Sequence, residues 1–139
     1  MWNFPKTWPL RIALVLLAIQ FINVGVAHFT DPQFFVDIVP PYLPNALALV
    51  YISGVAEIAG GLGVLPAATR RMAGWGLLAL LVAVYPANIH MALNHEDFEG
   101  VSAAAAWGRL PFQFLFAAWV WWATLSKGAN PEPDAEPAA

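Results

Sequence analysis

Cysteine is absent from the 139 residues, so the chain forms no disulfide, offers no thiolate to a metal and performs no thiol exchange of its own. Charge is scarce as well. Only 11% of the residues are Asp, Glu, Lys or Arg, against about a quarter in an ordinary soluble domain, and a chain of this size with so little polar surface cannot cover a core in water. The six Lys and Arg are scattered and the net charge is −3, which excludes the clustered basic face of a nucleic-acid reader. A phosphate-binding loop is also missing. The run Gly60-Gly61-Leu62-Gly63 lies inside an apolar stretch with no basic residue beside it, and such glycines read as points of close helix contact.

What the chain has instead is apolar surface, with 60% hydrophobic and 14% aromatic residues. Four stretches, residues 10–29, 46–65, 72–93 and 107–125, each have the roughly 20 residues that cross about 30 Å of hydrocarbon at about 1.5 Å per residue. The expected fold is all-α, an integral membrane antiparallel four-helix bundle that forms one domain over residues 1–127. The first stretch follows basic residues and ends in a loose likeness of a cleavage site, but it is longer than the about 7 to 15 apolar residues of a signal peptide and is kept as a span. Residues 128–139, rich in Pro, Ala and acid, read as a disordered tail. Residues 66–71 read as a tight turn. The link 31–44 carries Pro32, Pro40, Pro41 and Pro44, which forbid a continuous helix, while its apolar residues suggest that it lies on the membrane surface or dips back into the bundle.

Short cytoplasmic segments are enriched in Lys and Arg. Lys6, Arg11, Arg70, Arg71 and Lys127 fall on one side of the four-span model and Arg109 on the other, so both termini are expected in the cytoplasm. Trp2, Trp8, Trp75, Trp121 and Trp122 then lie at the inner interface and Trp107 at the outer one, as aromatic belts require. The shared order of an Asn and a following His in spans one and three (Asn23 and His28, Asn88 and His90) is only a weak sign of a repeat.

Polar residues inside such spans are the candidates for function. Glu57 stands near the middle of the second stretch, where a charge costs at least about 2.5 to 3.5 kcal/mol, and it shares a helical face with Ser53, Gly60 and Gly61. Two readings stay open. Glu57 is a proton-relay or ligand-binding carboxyl group, or it hydrogen-bonds Gln20 or Asn23 and locks two helices together. A second group, His28, Asn88, His90, Arg109 and Gln113, falls within roughly 10 Å of the outer surface and could surround one mouth suited to a quinone carbonyl or an anion. Against this stands the plainer reading, that each is an interfacial residue bonded to lipid headgroups or a helix end. Two His without placed carboxylates make weak metal evidence, so no metal is expected. Pro86 leaves the Val82 carbonyl without its helical donor and should kink the third span just before Asn88.

Several runs carry a family resemblance: His28-Phe29-Thr30-Asp31-Pro32-Gln33-Phe34-Phe35, Ile38-Val39-Pro40-Pro41-Tyr42-Leu43-Pro44, the segment from Tyr51 to Gly63 around Glu57, Pro86-Ala87-Asn88-Ile89-His90-Met91-Ala92, and Arg109-Leu110-Pro111-Phe112-Gln113. Across the whole chain except the tail, the sequence resembles the DoxX-like family of small four-span membrane proteins, whose relatives include the methylamine-utilisation protein MauE. The resemblance implies a redox-associated protein of a bacterial inner membrane, as a non-catalytic subunit or assembly factor of a redox or oxidative-stress complex, with a protein partner or a second copy as its companion in the bilayer. Members proposed to act on thiols need cysteines, which this chain lacks. The alternative is a binding protein, or an oxidoreductase subunit, for a quinone or another lipophilic small molecule, using Glu57 and the outer His, Asn and Arg group. A small transporter is the third reading and would require oligomerisation. A quinone is the candidate cofactor, and no catalytic activity of its own is the leading expectation.

Overall fold

The computed structural model describes residues 2–131. Its elements are α1 (Trp8–Thr30), α2 (Pro32–Ile38), α3 (Ala46–Gly63), α4 (Ala67–Leu93), a single 3-10 turn (His95–Asp97) and α5 (Ala103–Thr124). All of the regular structure among the described residues is helical. Three helices, α1, α3 and α4, are long and apolar enough to cross a membrane, which is consistent with a membrane protein. Their outward faces agree: Ile12, Leu16 and Ile19 on α1, Ile52 and Val55 on α3, and Val82 on α4 are all exposed, where a soluble protein would present charge. The fourth long helix, α5, interrupts its apolar residues with Gly108, Arg109, Pro111 and Gln113.

Helix ends differ from the sequence expectation for local reasons. Residues 67–71 continue α4 and are not a turn, because Pro66 can stand at the N-cap and Ala67 and Ala68 are strong helix formers. Ser102 caps α5, its Oγ accepting from the Ala105 amide at 3.1 Å, so the Ala103–Ala106 run joins the helix. Within the proline-rich link, Pro32 occupies the first turn of α2, where its missing N–H costs nothing, and the helix ends before Pro40. Asn45, at φ 53°, supplies the left-handed turn into α3 that Asn tolerates better than most residues.

Close contacts fix the packing. Gly25 on α1 lies against Gly54 and Ile58 on α3, and Gly61 lies against Ala18 and Ile22, so the two helices run in opposite directions. The Gly60–Leu77 and Gly63–Ala73 contacts do the same for α3 and α4. Gly74–Thr124 and Met91–Arg109 do so for α4 and α5. The Trp119 indole closes the ring by donating to the Ala13 carbonyl at 3.1 Å. Leu14, Leu17, Phe21, Val64, Leu77 and Val120 form the core at one end; Ile38, Met91 and Ala106 form a smaller one at the other.

Arg70, which the sequence offered only as a topological charge, is fully buried. Its guanidinium donates to the carbonyls of Val64 (3.0 Å), Leu65 (2.7 Å), Asn3 (3.0 Å) and Ala129 (2.8 Å). It thereby binds the C-terminal end of α3, which carries partial negative charge, to both the N-terminal segment and the residues after α5. The expected tail therefore begins as ordered turns through Asn130, with Ala129 buried, and the rest of that expectation, residues 132–139, lies outside the described residues.

Candidate functional site

The close approach of Gly25 and Gly54 governs the chemistry of α1 and α3. It carries His28 over Glu57, with His28 Nδ1 3.4 Å from Glu57 Oε2, and both residues are buried. His28 Nδ1–H is already committed, donating to the Val24 carbonyl one turn back at 2.8 Å. Glu57 Oε2 consequently has no hydrogen-bond partner among the described residues, a condition that costs about 1 to 3 kcal/mol in a packed interior. The expected lock to Gln20 or Asn23 does not form. At 100° per residue those two stand about 140° and 160° around α1 from Gly25, which faces α3, and both are exposed.

The Glu57 carboxyl borders a cavity of about 430 Å³ between α1, α3 and α4. Its polar lining is His28, Ser53, Glu57, Asn88 and Arg109; Val24, Val50, Leu80 and Val84 are among the apolar residues around them. Ala83 and Ala87 of α4 leave it room beside Pro86. The α2 link folds back as a roof, contributing Phe35, Ile38, Val39, Pro40 and Leu43, and the Phe35 ring stacks on His28 with centroids 3.8 Å apart. A mostly apolar space of a few hundred cubic ångströms with a few placed polar groups is the usual form of a small-molecule site.

A second cavity of about 210 Å³ adjoins the first, lined by Gln20, Phe21, Val24, Glu57, Leu81, Asn88, Arg109, Phe112, Gln113 and Phe116. Gln113 is bonded at both ends of its amide: Oε1 accepts from Asn88 Nδ2 at 2.6 Å, and Nε2 donates to the Leu81 carbonyl. A neighbouring helix thus adds a donor at the Leu81 carbonyl, one residue before the Val82 carbonyl that Pro86 leaves without its helical donor. Arg109 is exposed, and its Nη1 reaches the Met91 sulfur at 3.3 Å.

Of the residues expected to share one mouth, His28, Asn88 and Arg109 line the larger cavity together, and Gln113 lines the smaller. His90 lines neither. Two positions beyond Asn88 it points about 160° away around α4, pairs with Asn94 (Nδ1 to Nδ2, 3.2 Å) and meets Phe98 edge-on. Asn23 also lines neither. Phe35 is not among the site residues expected from the sequence, although the apolar content of its link pointed back toward the helices. No group of three or more His, Asp or Glu that could hold a metal ion occurs among the described residues.

A family model matches residues 17–124, from the middle of α1 to the end of α5. The chain belongs to the family described as "Domain of unknown function (DUF8561)". No curated protein and no solved structure matches it. The DUF8561 segment contains His28, Ser53, Glu57, Asn88, Arg109 and the α2 roof, so the whole lining of both cavities falls inside the family match.

Proposed function

We propose that this chain is a four-span membrane protein that holds a lipophilic small molecule, with an oxygen-bearing head such as a quinone ring, in the cavity beneath α2. The observation that carries the reading is Glu57, a buried carboxyl group whose Oε2 has no hydrogen-bond partner among the described residues, on the lining of a mostly apolar cavity. A carboxyl group can accept from a hydroxyl or, when protonated, donate to a carbonyl, and a head group of either kind would give the Glu57 carboxyl group a partner. Phe35 and His28, stacked on each other, line the cavity beside it.

The four-span topology is supported by α5, whose 22 residues are long enough to cross and which packs against both α1 and α4. Both termini are assigned to the cytoplasm, on the side where Arg70 gathers the chain ends and where Lys6, Arg11, Arg71 and Lys127 also lie in the sequence. By its resemblance to DoxX-like proteins, we assign the chain to a bacterial inner membrane, as a non-catalytic binding subunit of a redox or oxidative-stress complex. The test is equilibrium titration of the protein in phosphatidylcholine nanodiscs with a short-chain benzoquinone. Saturable binding that is lost in Ser53→Phe, which fills the cavity, is expected. Uptake that is linear with concentration and unchanged by the substitution would reflect partition into lipid and would overturn the reading.

A further inference from the structure

The smaller cavity shares Val24, Glu57, Asn88 and Arg109 with the larger one, so the two adjoin, with Glu57 on the lining of both. Gln20 and Phe112 border the smaller cavity and are exposed, while Phe21 and Phe116 meet behind them with ring centroids 5.3 Å apart. That cavity opens sideways between α1 and α5. Gln20 lies midway along α1 and Phe112 midway along α5; in a bundle that spans the bilayer, an opening at this height faces acyl chains and not water. Of its polar lining, Gln113 has both ends of its amide bonded within the protein and Asn88 is the partner of one of them; Glu57 and Arg109 are shared with the larger cavity, and Gln20 stands exposed.

We propose that the smaller cavity is a lateral port for the tail of the ligand. The occupant is a single-chain amphiphile whose uncharged, oxygen-bearing head lies beside Glu57 and whose alkyl chain leaves between α1 and α5 into the bilayer. The proposal rests on the ligand-binding reading and narrows it from any lipophile to a lipid. Phe21, Phe112, Phe116 and Leu81 supply the walls for the first methylenes, and the larger cavity, roofed by α2, keeps the head away from the chains. A compact ligand would leave the port without a use.

Two benzoquinone-headed decyl probes, one with a diazirine on the ring and one with it in the middle of the chain, separate the two ideas in nanodiscs. Adducts are mapped by peptide mass spectrometry. Ring adducts are expected near Phe35 and Ser53, and chain adducts at Gln20 and within residues 112–116. Gln20→Trp, which closes the mouth, should lower the chain adducts at 112–116 by about tenfold relative to Gln20→Leu, which leaves it open. Gln20 is exposed, and melting curves check that both variants fold. Ring labelling at the expected sites, with chain labels spread over lipid-facing Val55 and Val82 and indifferent to Gln20, overturns the port alone. If the ring labels no site that an excess of unlabelled quinone can protect, the ligand-binding reading falls and the port with it.

Discussion

Substituting Gly25 by alanine adds one methyl group at the point where α1 and α3 touch. An ideal Cβ there meets Ile58 Cγ1 at 2.7 Å, the Gly54 carbonyl oxygen at 2.8 Å and Glu57 Cβ at 3.1 Å. The isoleucine can rotate, but the carbonyl belongs to a helix backbone and cannot yield unless α3 moves as a body. Overpacking of this kind costs about 1 to 3 kcal/mol, while alanine returns up to about 1 kcal/mol of helix propensity. With the full propensity gain the net expectation is a loss of up to about 2 kcal/mol, and of about 1 to 3 kcal/mol relative to a control that gains the propensity alone. Gly76→Ala is the matched control, because nothing lies within 4 Å of its added Cβ and only the propensity gain remains. The assay is thermal unfolding of both variants in one detergent, followed by circular dichroism, with Gly25→Ala melting several degrees lower and Gly76→Ala unchanged or slightly higher. Equal melting temperatures for the two would refute the close α1–α3 contact, and with it the argument that places His28 over Glu57.

Glu57→Leu should melt no lower than the wild type, and even somewhat higher, because it removes a buried oxygen that has no partner; ligand titration of the same variant should show binding lost, and a large drop in stability would mean that Glu57 bonds within the protein after all. Arg70→Met leaves four carbonyls without their charged donor and should cost at least about 3 kcal/mol, with protease sensitivity appearing at both chain ends; a variant as stable as the wild type would show that the clamp contributes nothing. Reporter fusions after Lys127 and within residues 94–100 should report opposite sides of the membrane, and the same side for both would sink the four-span topology.

Composition alone decided that this chain is helical and apolar enough for a membrane, because 11% charge cannot clothe a core in water and runs of about 20 apolar residues have few other uses. It also singled out Glu57, since a carboxyl group amid apolar residues stands out whatever surrounds it. Which residue of α1 lies beside Glu57 was beyond its reach. Gln20, Asn23 and His28 all belong to α1, and only the direction in which Gly25 meets Gly54 brings His28 to Glu57, leaves Gln20 at the edge of the smaller cavity and turns Asn23 away from both. The same holds for Asn88 and His90, two residues apart in the chain yet on opposite sides of α4, one at a cavity and the other beside Phe98. Arg70 shows the limit most plainly, since its four acceptors are backbone carbonyls from three separate segments, and a carbonyl carries no side-chain signature. Periodicity fixes which residues share a face of one helix; which face meets which neighbour, and where a gap is left between them, is settled only when the helices pack.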